Sequence, residues 1–358
     1  MCVPIRILIP LALLIGCSQV LSGQAQKEAE PTKISTAKAS DGNAHPEPGT
    51  YSPLTLVKAI PVDSVLNSIV GSPKCDEEGN FYVRTDRFAI VKFDSKPERI
   101  ATFNANSSPD VPKIDGAGDF TVSPEGSVHQ LVLPHSYDRV VFAYNKDGSY
   151  KSMIKLDPGG PWSPSLFVTF PSGNFMATGQ KWDRIGKNYV PFTGIFSSDG
   201  TLLKELRLED DGNIGPSSIG LNSAISRGQM EFGADGNAYL VRWLNPAIVY
   251  AISPGGEVVR RFTVDPGDAE FEVGGMVAAG SRLALLFRKA AQGKNVEQQL
   301  IQIVDLEGNK VATYQEPMID GHLAFGLALA CYTHNPEQLT FLGWTKDEKL
   351  VLNITEPR

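Results

Sequence analysis

What most constrains this chain is a unit of four short strand-like runs that recurs along it, seen most plainly over residues 230–265. That segment reads Met230-Glu-Phe, the turn Gly233-Ala-Asp-Gly236, the run Asn237-Ala-Tyr-Leu-Val-Arg-Trp243, then Ala247-Ile-Val-Tyr-Ala-Ile252. The turn Ser253-Pro-Gly-Gly256 and the run Glu257–Val264 complete it. Runs rich in Val, Ile, Tyr and Phe, bounded by Gly-, Pro- and Asp-containing turns, predict antiparallel strands. Ile248, Tyr250 and Ile252 alternate at the period of a strand, and no run reaches helical length. The strands are denoted A to D. A lone four-stranded sheet cannot cover both of its faces, so the unit is expected to stack against copies of itself.

Copies follow in order. The first has Cys75–Val83, Ala89–Phe93 and Arg99–Phe103; the second has Ser123–Gly126, Val140–Tyr144 and Met153–Leu156; the third has Phe170–Met176, Ile195–Gly200 and Leu202–Leu208. Residues 230–265 form the fourth, and Ser281–Leu286, Leu300–Val304 and Lys310–Tyr314 belong to the fifth. Phe325–Ala330, Leu339–Trp344 and Leu350–Ile354 supply strands A to C of a sixth, and Leu56–Val62 near the other end has the character of its missing strand D. The expected fold is all-β: a six-bladed β-propeller over residues 52–358, its last blade completed by an N-terminal strand that removes an open edge.

Asp76-x-x-Gly79-Asn80-Phe81-Tyr82-Val83 followed by Ile90–Phe93 resembles an NHL repeat, and so does Asp235–Val241 followed by Ile248–Ile252. The resemblance is good in the first and fourth copies and holds in outline elsewhere. It implies a six-bladed propeller and no particular reaction, because such repeats specify turn and core positions. Relatives of that kind include protein- and RNA-binding modules, sensors, and metal-dependent lactonases and lyases.

The two ends differ from the rest. Arg6 precedes the apolar run Ile7–Ile15, which is too short to span a bilayer and has the form of a signal-peptide core. Leu14-Ile15-Gly16-Cys17 resembles a bacterial lipobox, with Cys17 the acylated residue after cleavage at Gly16; Gly23-Gln24-Ala25 resembles an ordinary small-x-small cleavage site that would make residues 1–25 the signal peptide. Residues 26–51 carry almost no large apolar side chains and read as a flexible tether. Export to a periplasmic, secreted or lipid-anchored location is the expectation, with the membrane reached only through an N-terminal anchor. A net charge of −7 argues against nucleic acid or an anionic membrane as the main partner.

Cys75 and Cys331 fall at the ends of inner strands in the first and last copies, neighbours once a ring closes. An oxidising compartment favours a disulfide between them, whereas the usual divergence of neighbouring inner strands favours two separate thiols.

Function is expected on one face. The A–B and C–D turns are tight, whereas Asn104–Gly118, Gln180–Val190, Glu209–Gln229 and Arg288–Gln298 are long connections of the B–C and D–A type. The four tryptophans, Trp162, Trp182, Trp243 and Trp344, fall on or beside those connections. Trp182 and Trp243 are expected to flank one groove, with Asp183, Arg184, Arg242, Arg84 and Tyr137 completing a ligand-binding set for a protein, peptide or glycan. The competing expectation is that the indoles wedge between blades. A monomer needing no cofactor is expected. In the alternative, Asp115, Asp119, Glu231, Glu272 and His322 converge at the channel mouth, hold Ca²⁺ and serve a hydrolase, lactonase or lyase. Against that, the five histidines show no metal-site spacing, and no Gly-x-Ser-x-Gly elbow occurs.

Overall fold

The computed structural model describes residues 51–358 except 67, 86–87, 111–112, 124, 136–138, 214–224, 226–227, 245, 291–295, 320–321 and 327. Cys17, the leader and Tyr137 therefore lie outside the described residues. Among the described residues no helix is long and apolar enough to cross a membrane.

Strand β1 is Ser52–Pro61. Four four-stranded antiparallel sheets follow in chain order. The first holds β2 (Lys74–Cys75), β3 (Phe81–Arg84), β4 (Ala89–Phe93) and β5 (Arg99–Asn104). The second holds β6 (Ile114–Val122), β7 (Val128–Pro134), β8 (Val140–Tyr144) and β9 (Tyr150–Ile154). The third holds β10 (Trp162–Thr169), β11 (Phe175–Asp183), β12 (Asn188–Phe196) and β13 (Leu202–Leu206). The fourth holds β14 (Gln229–Phe232), β15 (Ala238–Val241), β16 (Ala247–Ile252) and β17 (Val258–Val264).

An eight-stranded sheet contains the rest. Its members are β18 (Phe271–Ala279), β19 (Arg282–Ala290), β20 (Val296–Asp305), β21 (Lys310–Gln315), β24 (Ala328–His334), β25 (Glu337–Trp344), β26 (Leu350–Pro357) and β1, in the order β18-β19-β20-β21-β1-β26-β25-β24; β22 (Met318–Ile319) and β23 (His322–Leu323) form a separate two-stranded ribbon. The N-terminal strand pairs antiparallel with β26 from Leu54↔Pro357 to Pro61↔Val351, the pairing expected of Leu56–Val62. Its contact with β21 is parallel and covers only Ser52↔Tyr314 and Pro53↔Gln315.

The arrangement is propeller-like, and the burial of the strands explains why. β4, β8 and β16 are buried along their whole length, whereas β9 and β17 alternate or face solvent. A strand buried on both faces reads as a continuous apolar run, as Val140–Tyr144 and Ala247–Ile252 do, because neighbouring sheets cover it front and back. Apolar clusters join consecutive sheets: Phe103 and Phe142 join the first and second, Phe167 and Val141 the second and third, Met176 and Leu240 the third and fourth. Val249 and Leu285 join the fourth sheet to the β18–β21 part of the long sheet; Ile301 and Phe341 join its two halves; Leu352 and Phe93 return to the first sheet.

One turn design recurs. Gly79, Gly126, Gly148, Gly173, Gly200, Gly236, Gly256 and Gly308 each donate N–H to the carbonyl three residues earlier, and each has φ between 78° and 90°. Two of these glycines also carry the sheet packing. A Cβ on Gly148 would come 2.6 Å from the Thr102 carbonyl oxygen, and one on Gly200 would come 2.0 Å from that of Lys155, so the turns of one sheet sit directly on strands of the previous one.

The inner strands close on one another at two points. Cys75 in β2 and Cys331 in β24 are joined by a disulfide with Cα atoms 5.7 Å apart, so these two inner strands do not diverge beyond disulfide reach. Lys74 beside it reaches Glu231 of β14, described next.

Candidate functional site

The connections expected to be long loops are partly strand. β11 and β12 extend past the body of their sheet as a hairpin, pairing Lys181↔Val190, Trp182↔Tyr189 and Asp183↔Asn188. Asp183 closes its tip, accepting from the N–H groups of Ile185 (2.9 Å) and Gly186 (3.0 Å). Cross-strand aromatic pairing explains the extension: the Trp182 and Tyr189 rings meet edge to face, centroids 5.1 Å apart.

A cleft of about 750 Å³ lies against this hairpin. Lys181, Trp182, Asp183 and Arg184 form one side, Gly159–Pro161 another, and Glu205–Leu208 with Asp211 and Gly212 the third. Lys181 Nζ sits 3.6 Å from Glu205 and over the Phe192 ring at 4.9 Å. Arg184 is exposed and Trp182 half-buried, so the cleft presents an indole edge among charges of both signs. The size is that of small-molecule or peptide side-chain sites.

Two members of the expected set are elsewhere. Arg242 is only 1% exposed. Its Nη1 donates to Asp210 (2.8 Å) and Asp211 (2.6 Å) and its Nη2 to Thr193 (3.2 Å), while the Tyr250 hydroxyl donates to Asp210 at 3.0 Å. Burial raises the Asp210 carboxyl above its ordinary pKa, with Arg242 opposing. Arg242 therefore cannot meet a ligand; it pins the turn Glu209–Asn213 that supplies Asp211 and Gly212 to the cleft wall. Trp243 packs on the apolar cluster between the fourth sheet and β18–β21, as does Tyr51. The two indoles thus do not line a common groove: Trp243, just past the end of β15, packs half-buried against the inter-sheet cluster and is not part of the cleft wall. Trp162 is core too, stacked on Phe196 with its Nε1 donating to the Leu156 carbonyl at 3.0 Å, whereas Trp344 is 54% exposed.

The channel candidates separate. Glu231 and Asp119 do converge, but on an ammonium group. Lys74 Nζ lies 3.0 Å from Glu231 Oε1 and 5.9 Å from the centre of the Phe120 ring, and Gln229 donates to the same Glu231 oxygen at 2.7 Å. Burial works against the Lys74 charge, and Glu231 and Asp119 outweigh it, holding its pKa above the ordinary value. Burial pushes the Asp119 carboxyl up, with Lys74 opposing and Glu231 adding. Lys74 thus stands where a cation would bind, which is the physical reason these carboxylates do not make the expected Ca²⁺ site. Asp115 is at the surface with His135 (2.7 Å) and Lys113 (3.5 Å), and the side chains of Glu272 and His322 are exposed. Among the described residues no group of three His, Cys, Asp or Glu could hold a metal ion.

Above the Lys74 cluster, on the side of the long connections, is a second cleft of about 440 Å³ lined by Arg84, Asp119, Arg139, Gln180 and Gln229. Arg84 Nε donates to the Val70 carbonyl (3.1 Å) and Nη1 to those of Ala117 (2.6 Å) and Gly118, and Arg139 Nη1 donates to that of Pro164 (2.7 Å). Lys74, Gln229 and Arg139 were absent from the expected site. Lys74 sits in a run without a motif, and its partner Glu231 is 157 residues away in another sheet.

No family model matches the chain, and no curated protein matches it. Solved structures do. A protein of unknown function from Bacteroides caccae aligns with TM-score 0.43 at 12% identity, covering 78% of this chain and 83% of its own. The Dos1 propeller aligns with TM-score 0.42 at 9% identity, covering 77% and 75%. The PQQ-bound form of an aldose sugar dehydrogenase from Streptomyces coelicolor aligns with TM-score 0.42 at 12% identity, covering 87% and 100%.

Proposed function

We propose that this chain is an exported six-bladed β-propeller of NHL-like repeats that acts as a binding protein, taking a protein, peptide or glycan ligand on the face of its long connections. The blade count counts the eight-stranded sheet as two blades. Antiparallel ladders run through β18–β21 and through β1-β26-β25-β24, and only two parallel residue pairs join them. Export is supported by the apolar leader and by Cys17 or the later cleavage site, for a lipid-anchored, periplasmic or secreted protein.

The observation that carries the binding reading is the cleft beside Trp182. Three separate segments build it, it keeps a half-buried indole at its edge, and the buried Arg242 pair holds one wall rigid. Walls with an aromatic edge and charges of both signs favour a ligand with a flat apolar surface and polar margins. Fluorescence titration with soluble oligosaccharides and short peptides tests it. A ligand that quenches the wild type and binds Trp182→Ala roughly tenfold more weakly supports the assignment. A ligand bound equally by both proteins places the function at another surface.

A further inference from the structure

The central cleft carries an unmatched charge. Arg84 and Arg139 both approach Gly118: Arg84 Nη1 donates to its carbonyl, and a Cβ on this glycine would lie 3.7 Å from Arg139 Nη1. Among the described residues no carboxylate comes within ion-pair distance of either guanidinium, and both donate to backbone carbonyls. Below them Lys74 faces Glu231 and Asp119. Among the described residues, three cationic side chains therefore meet two carboxylates in a partly enclosed site, one positive charge in excess. Burial lowers the pKa of both arginines; at Arg84 the nearby Asp119 opposes this and the like charge of Arg139 adds to it.

We propose that this cleft binds a small monocarboxylate on a hydroxyl-rich body, of the sugar-acid class, between Arg84 and Arg139. A planar guanidinium matches a carboxylate in geometry, and its carbonyl bonds hold it in place before the ligand arrives. Asp119 in the same wall disfavours a second negative charge, which argues for a carboxylate over a phosphate dianion. Ser72, Ser163, Ser165, Gln180 and Gln229 surround the space with hydroxyl and amide groups suited to ligand hydroxyls. Its volume of about 440 Å³ is that of a small-molecule site. Across the β10–β11 ladder Ser163 pairs with Gln180 and Trp162 with Lys181, so this site and the Trp182 cleft lie on neighbouring residues yet use different side chains.

Isothermal titration of the full chain with sodium D-glucuronate, its uncharged methyl ester, D-glucose and inorganic phosphate decides the matter. Glucuronate is expected to bind at one equivalent and the ester and glucose at least roughly tenfold more weakly, with Arg139→Gln reducing glucuronate affinity by a similar factor. The acid-against-ester comparison needs no variant, so it decides the question even if Arg139→Gln folds poorly. Trp182→Ala should leave glucuronate binding intact, which separates this site from the groove proposed above. Equal binding of acid and ester, tighter binding of phosphate than of glucuronate, or no glucuronate binding at millimolar concentration would overturn the proposal.

Discussion

Lys74 Nζ lies 3.0 Å from Glu231 Oε1, joining the first strand of one sheet to the first strand of another across 157 residues of sequence. Both groups are largely removed from solvent, at 8% and 18% exposure. A bond of such long range, together with the Cys75–Cys331 disulfide, ties the inner strands to one another in addition to the ladders within their own sheets.

Removing one partner should be costly. Lys74→Met leaves Glu231 and Asp119 facing each other without a cation, and is expected to lower unfolding free energy by roughly 3–5 kcal/mol. The double variant Lys74→Met, Glu231→Leu should recover much of that loss. Urea denaturation of the single and double variants checks the sign and size of the coupling.

Arg242 gives a second test of buried charge, with a consequence at the surface. Arg242→Met strands Asp210 and Asp211, and is expected to cost roughly 3–5 kcal/mol. Because Asp211 and Gly212 line the Trp182 cleft, the turn that carries them should also loosen. Faster amide exchange over residues 209–213 than in the wild type is the expected signature.

Strand order was legible in the sequence; side-chain direction was not. Alternation and the Gly-containing turns predicted the four-stranded units, because those features are set by neighbours a few residues apart, and the pairing of the N-terminal strand with the last one followed from counting the strand that the last unit lacks. Arg242 and Trp243 show where such reading stops. Charge and aromaticity beside a turn suggested a ligand site, yet Arg242 is held by Asp210 and Trp243 packs against the cluster that contains Phe271, partners distant in sequence. Lys74 was missed for the same reason, since its partner is 157 residues away. Trp182, Asp183 and Arg184 were found together because a hairpin is a local structure.

Deleting residues 1–63 should open the sheet at β26. The deletion removes Leu54, Ile60 and Val62, all under 5% exposed and each contributing roughly 1.5–3 kcal/mol of burial. It also leaves the β26 edge unpaired, which favours association. A lower melting temperature and concentration-dependent aggregation are expected; unchanged melting and solubility would contradict closure by the N-terminal strand.

Glu316 predicts a pH dependence of opposite slope to that of His129. Burial pushes the Glu316 carboxyl up to about 7, against hydrogen bonds from the Phe325 and Gly326 N–H groups and the nearby Arg288. Its folded pKa is above its ordinary value of 4.5, so the folded state holds this proton more tightly. That contribution to stability is full below about 4.5 and is lost as pH rises to about 7. Burial lowers His129 from 6.5 to about 4, which makes stability rise with pH over that interval. Urea midpoints from pH 4 to pH 8 should therefore show, for wild type relative to Glu316→Gln, a difference that falls steadily between about 4.5 and 7 and is flat above that range.

The Trp182 cleft as a binding surface, with Trp243 packed against the core between sheets, is tested without any ligand by thermal melts of Trp182→Ala and Trp243→Ala. Trp182→Ala removes an edge-to-face contact with Tyr189 and should cost about 1 kcal/mol. Trp243→Ala removes a side chain packed between sheets and should cost roughly 3–5 kcal/mol. A small shift is expected for the first variant and a large one for the second. If Trp182→Ala melts as far below the parent as Trp243→Ala does, the indole is structural and the cleft is not the binding site.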